Sequence, residues 1–168
     1  VLQTNTTGSS NIAIGRNSLY VNTTGAQNTS IGVESLDANT TANDNTAVGF
    51  ASLGATTTGH SNVAIGRDAM LSNLTGDGNT ALGYKALFTN NGSTPDFNTA
   101  IGRQALYSNT TGTVNTAVGL NTSYSNTTGT CNVAIGRNAL YTTTTGAKNV
   151  AIGAAALYTA STASDNTA

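Results

Sequence analysis

The sequence predicts an all-β fold, a parallel β-solenoid of 17-residue coils, and three observations carry that prediction. The first is a repeat: Asn-(Thr/Val/Ile)-(Ala/Ser)-(Ile/Val/Leu)-Gly opens at Asn11, Asn28, Asn45, Asn62, Asn79, Asn98, Asn115, Asn132 and Asn149. Every interval is 17 residues except one of 19, and a partial copy opens at Asn166. The second is composition. Thr (32), Asn (22) and Gly (19) supply 73 of the 168 residues, which excludes a protein of long helices. The third is the column of Ile, Val or Leu at the fourth repeat position, held in nine of nine copies. A low-complexity disordered chain would share the polarity but has no reason to keep that register.

Numbering the repeat from its asparagine, positions 1 to 5 alternate as a strand does. Positions 2 and 4 share one face, positions 1 and 3 the other, and the glycine at position 5 ends the strand. The fourth-position residues Ile14, Ile31, Val48, Ile65, Leu82, Ile101, Val118, Ile135 and Ile152 are expected to form core columns. Position 9 repeats Leu19, Leu36, Leu53, Met70, Leu87, Leu106, Leu140 and Leu157, broken at Ser123. Positions 6 to 11, typically Arg-Asn-Ala-Leu-Tyr-Ser, suit either a second buried strand or one helical turn. Positions 12 to 17 have turn chemistry, because Asn and Gly tolerate positive φ and Asn or Thr side chains cap backbone amides. A 17-residue unit is too short for a helix pair or a propeller blade but suits one coil whose neighbours stack through parallel strand pairing.

The whole of 1–168 then reads as a single array of about nine full coils with partial coils at both ends. Residues 90–97 hold the two extra residues and the only proline, Pro95, which cannot continue a ladder. Gly92 to Asp96 are expected in a protruding loop. Because the chain starts and stops inside a repeat, it is expected to belong to a longer fibre. Few large apolar side chains fall in each coil. Cohesion is therefore expected from Asn and Thr ladders and from other chains covering the small alanine columns at positions 3 and 8. That predicts an oligomer.

Charge patterning agrees with stacking in register. No like-charged pair occurs at an offset of 17, whereas Asp68 precedes Lys85, Lys148 precedes Asp165 and His60 precedes Asp77 by one repeat. Tyr84 falls between Arg67 and Arg103 at position 6, where its ring can receive a guanidinium. Six basic residues scattered singly at net charge −1 supply no phosphate stripe, so nucleic acid is not expected as a partner. No segment approaches the roughly 18 apolar residues of a spanning helix, so no direct membrane insertion is expected. The single cysteine, Cys131, cannot form an intrachain disulfide.

At Asn62-Val63-Ala64-Ile65-Gly66, Asn132-Val133-Ala134-Ile135-Gly136 and Asn149-Val150-Ala151-Ile152-Gly153 the chain resembles the head repeats of trimeric autotransporter adhesins. Its longer repeat is similar to those of phage tail fibres and secreted bacterial repeat proteins. The resemblance spans nearly the whole chain. It implies a left-handed β-roll, three chains about one axis, a location outside the cell or on a virion, and attachment to host or matrix surfaces. The chain departs from the adhesin pattern in its extra Ala-Leu-Tyr and Thr-Thr-Gly portions.

No residue pattern points to catalysis, a cofactor or a metal. His60 is the sole histidine and stands in a turn, Cys131 has no activating neighbour in sequence, and no paired carboxylates recur. Asp77-Gly78-Asn79 and Asn43-Asp44-Asn45 read as Asx turns rather than calcium loops. Two columns are candidate binding surfaces. Tyr20, Tyr107, Tyr124, Tyr141 and Tyr158, with Phe88 and Leu71, hold position 10, where an aromatic ladder can receive sugars or pack on a neighbour. Thr24, Thr41, Thr58, Thr111, Thr128 and Thr145 hold position 14 beside a second Thr column, a hydroxyl array that solvated turns would also produce. Asn22, Asn39, Asn73, Asn109 and Asn126 stand in Asn-x-Thr sequons. The expected function is a structural and adhesive fibre segment that associates with its own copies and binds surface glycans or matrix proteins many times over. The alternatives are a filament subunit with no adhesive role, or an ice- or glycan-binding solenoid using the Thr or Tyr column.

Overall fold

The computed structural model describes residues 1–92 and 96–168. Nine three-residue strands, β1 (Ile12–Ile14), β2 (Thr29–Ile31), β3 (Thr46–Val48), β4 (Val63–Ile65), β5 (Thr80–Leu82), β6 (Thr99–Ile101), β7 (Thr116–Val118), β8 (Val133–Ile135) and β9 (Val150–Ile152), form one sheet. They pair in chain order, all parallel. Equivalent repeat positions lie opposite one another, so Ile65 faces Leu82. The register survives the longer repeat, since Thr80 pairs with Thr99. The chain is a β-solenoid with one strand per coil, and no helix occurs among the described residues.

The strand pattern is inverted relative to expectation. Position 3 points inward: Ala47, Ala64, Ala81, Ala100, Ala117, Ala134 and Ala151 are buried. Position 4 points outward, with Ile14, Ile31, Ile65, Leu82, Ile135 and Ile152 exposed and Val48, Ile101 and Val118 only half-buried. Those nine residues form a column, but not a core column. The physical reason is width, because a 17-residue coil closes on so narrow an interior that only a side chain as small as alanine's, or serine's at Ser30, lies beneath the strand. The alanines accordingly need no second chain to bury them.

Positions 6 to 11 are neither strand nor helical turn. They form a run of tight turns in which positions 7 and 9 adopt left-handed backbone, as at Asn138 (φ 58°) and Leu140 (φ 50°). The fold drives leucine into this conformation in coil after coil, at about 1 kcal/mol each. Burying the leucine side chain stabilises by about 1.5–3 kcal/mol, so packing wins. Leu19, Leu36, Leu53, Met70, Leu87, Leu106 and Leu140 fill the interior opposite the alanines. The glycine at position 5 is required twice over. Its φ of 121° to 144° excludes other residues, and at Gly66 a Cβ would stand 2.6 Å from the Gly83 carbonyl oxygen.

Two internal asparagine ladders close the coils, a continuous one at position 1 and a second at position 12 that is broken at Thr56, Thr143 and Ala160. The position 1 asparagine spans the coil to the position 15 carbonyl, as Asn115 Nδ2 donates to Gly129 O at 2.8 Å. Its Oδ1 accepts the backbone amide of the next position 1 asparagine, Asn132 N at 3.0 Å. The position 12 asparagine donates to the same glycine carbonyl, Asn126 Nδ2 to Gly129 O at 3.1 Å, and to the Oδ1 of Asn109 at 2.8 Å. The expected Asn ladders thus exist, and they are buried. The sequon asparagines Asn22, Asn39, Asn73, Asn109 and Asn126 are all inside this network, where a glycan on the amide nitrogen has no room.

Candidate functional site

Among the described residues there is no pocket and no group of three or more His, Cys, Asp or Glu side chains able to share a metal ion. No helix is long and apolar enough to cross a membrane. What the fold offers instead is a set of lengthwise stripes, each one repeat position wide.

The position 10 stripe is a stacked aromatic ladder. Phe88, Tyr107, Tyr124, Tyr141 and Tyr158 follow one another at centroid distances of 5.0–5.3 Å, with interplanar angles of 2° to 12°. Tyr20 stands apart, separated from the ladder by Asp37, Gly54 and Leu71 at the intervening positions. Within the ladder each ring face is covered by the next ring. Edges and hydroxyls, rather than faces, are left for solvent, so the ladder is built for cohesion along the rod. The Tyr124 phenol is pushed above its ordinary value by burial, then by Tyr107 and Tyr141, with Lys85 acting in the opposite direction.

The two threonine columns differ. Position 13 hydroxyls are consumed by the next coil, as Thr110 Oγ1 donates to Thr127 O at 3.0 Å and Thr127 Oγ1 to Thr144 O at 3.1 Å. At position 14, Thr24, Thr41, Thr58, Thr111, Thr128 and Thr145 are exposed. That column is interrupted, because the hydroxyl of Thr75 turns to Gly92 O at 2.7 Å and no threonine follows in the next coil.

Position 16 caps the preceding coil. The Ala26 amide donates to Asn43 Oδ1 (2.7 Å), the Asn43 amide to His60 Nδ1 (3.0 Å), and the His60 amide to Asp77 Oδ1 (2.6 Å). His60 therefore serves as a backbone acceptor beside Asp77. Cys131 is exposed and free. Ion pairs join Arg16 to Glu34 (3.0 Å) and Arg67 to Asp68 (3.4 Å), and neither of the register neighbours Asp68–Lys85 and Lys148–Asp165 pairs. At position 6 the expected cation–ring contact forms, with Arg103 over Tyr84 at 5.8 Å, and Arg67 lies over Phe50 at 5.5 Å.

The longer repeat contains a substitution of groups that its sequence does not announce. Asp96 is buried, and its Oδ2 accepts Asn90 Nδ2 (2.8 Å) and Asn79 Nδ2 (3.2 Å), the counterparts of the donors that elsewhere bind the position 15 backbone carbonyl. A carboxylate oxygen stands where the other coils have a backbone oxygen. Burial, and less strongly Asp77 in the preceding coil, raises the Asp96 pKa against the two amide bonds that lower it. The expected protruding loop lies partly at Ser93–Pro95, outside the described residues; its flanks Gly92 and Asp96 are tucked in, not exposed. The chain matches no protein-family model, no curated protein and no solved structure.

Proposed function

We propose that the chain is a structural and adhesive segment of an extracellular fibre, associating with copies of itself and attaching to surfaces through many repeated contacts. The observation that carries this reading is the outward position 4 stripe. Eight inter-strand spacings give it a length of about 38 Å, and its members include Ile65 at 38 % and Leu82 at 44 % exposure. With the Thr or Val side chains of position 2 beside it, this is a continuous apolar sheet face of the kind that marks an association surface. The resemblance of the Asn-Val-Ala-Ile-Gly repeats to adhesin heads supports the same reading, including three chains about one axis. The mechanism is geometric, with no reacting residue and no cofactor: identical weak contacts add through multivalency.

The test is the mass of the assembled chain by light scattering at micromolar concentration. An oligomer is expected, and Ile65→Lys/Ile101→Lys/Ile135→Lys should dissociate it without altering the far-ultraviolet circular dichroism of the coils. A wild-type chain that stays monomeric would remove self-association from the reading.

A further inference from the structure

We propose that the edge formed by repeat positions 6 and 7 binds a linear acidic polysaccharide carrying one carboxylate or sulfate per disaccharide. From the third coil to the eighth, position 6 reads Phe50, Arg67, Tyr84, Arg103, Leu120, Arg137, an alternation of apolar platform and guanidinium. All six side chains are exposed. Coils stack about 4.8 Å apart, so like members recur about every 9.6 Å. That span is of the order of one disaccharide in an extended chain.

The stripe is ordered as well as charged. Arg67 lies over the Phe50 ring and Arg103 over the Tyr84 ring, while Lys85 Nζ stands 5.4 Å from Tyr84 and 5.0 Å from Phe88. Held in this way, the cations lose less side-chain freedom on binding. Arg103 and Arg137 have no ion pair among the described residues, whereas Arg67 is shared with Asp68. Five of the six basic side chains sit at positions 6 and 7, against two carboxylates, Glu34 and Asp68. The edge is thus positive on a chain whose net charge is −1.

The chemistry selects a sugar acid. A pyranose ring presents apolar C–H groups that fit the exposed edges of Phe50 and Tyr84 and the Leu120 side chain, and its acid group fits a guanidinium that bonds carboxylate or sulfate in bidentate fashion. Duplex nucleic acid carries a charge about every 1.7 Å, far denser than one guanidinium per two coils, and anionic membranes call for 4–8 clustered cations. The proposal gives the attachment above its ligand and rests on the fibre reading only for avidity; one rod suffices to test it.

The experiment measures binding of the intact chain to hyaluronan oligosaccharides, with dextran oligosaccharides and a short DNA duplex as comparators. Hyaluronan of six or more sugars, enough to reach Arg67, Arg103 and Arg137, should bind in a salt-sensitive manner, and dextran should not. Arg103→Ala/Arg137→Ala should weaken binding about tenfold or more, from the loss of two charge-assisted contacts. The Arg103→Lys/Arg137→Lys variant should fall between, because it keeps charge but not the fork. No hyaluronan binding at low salt, equal or tighter binding of DNA, or indifference to the arginine changes would overturn the proposal. Light scattering on the same samples separates the two readings: a monomer that binds hyaluronan defeats only self-association, and an oligomer that does not bind defeats only this inference.

Discussion

At the scale of single residues, the fold is made by side chains that stand in for backbone groups. Asp96 is the sharpest case, because its carboxylate replaces a glycine carbonyl at the meeting point of two asparagine ladders. An anion is costlier to bury than a carbonyl, and burial raises its pKa. A folded-state value above the unfolded one means that the stability Asp96 contributes is full below the ordinary carboxylate range, about 3.9, and is lost as pH rises through the raised value. Asp37, raised first by burial and also by Glu34, acts in the same direction. Asp96→Asn should therefore raise the melting temperature at pH 7 and flatten its rise between pH 7 and pH 4. Melting curves that keep the wild-type pH slope would dismiss this account. Asp96→Ala, which leaves the Asn79 and Asn90 amides short of an acceptor, should destabilise by about 1–3 kcal/mol.

His60 illustrates the same substitution with a ring nitrogen. Its ring nitrogen accepts the Asn43 amide in the role that Asn43 plays for Ala26. His60→Asn should preserve the cap, whereas His60→Ala should cost about 1 kcal/mol in chemical denaturation. Equal losses for the two variants would show that the acceptor contributes nothing.

At the scale of the repeated elements, continuity of a ladder matters more than any one rung. The position 12 asparagine ladder is interrupted at Thr56 and Thr143, and the buried Oδ1 atoms left unpartnered include those of Asn39 and Asn126, the rungs just before the interruptions. Thr56→Asn and Thr143→Asn should each restore a donor and add about 1 kcal/mol, read as a higher denaturation midpoint at unchanged slope. A lower midpoint would mean that the hydroxyl bonds now made, Thr56 to Asn73 O and Thr143 to Ala160 O at 2.8 Å, are worth more. The aromatic ladder follows the same logic. Tyr124→Ala removes two stacked contacts from its centre and should cost about 1–3 kcal/mol, more than Tyr158→Ala at its end.

At the scale of the whole molecule, each strand meets only the strands before and after it in the chain, so stability is a sum over neighbouring coils. A cavity in a middle coil should weaken its neighbours first. Leu106→Ala is expected to cost about 2–5 kcal/mol, with faster amide exchange concentrated in the coils around β6 rather than at β1. Uniform acceleration along the rod would show the array to be one cooperative unit. The same additive geometry gives the surface its character. A side chain that is unremarkable once becomes, at nine levels, a stripe about 38 Å long. The position 4 stripe is apolar, and from the third coil to the eighth the position 6 stripe alternates ring or leucine side chains with guanidinium groups.

The period, the parallel in-register stacking, the place of the strand and the ladders of asparagine were all determined by the sequence, because a side chain recurring every 17 residues must meet itself when coils stack. The Arg103–Tyr84 contact followed from the same register. Which face of the strand lies inside was decided only in three dimensions. Alternation separates Ala64 from Ile65 but carries no sign, and ordinary hydrophobic ranking puts isoleucine inside. The closed width of the coil reverses that ranking: alanine fits within, leucine enters from the opposite wall on left-handed backbone, and isoleucine is left outside. Asp96 was invisible for a related reason, since its role depends on the point in space that a two-residue insertion vacates and not on any pattern along the chain.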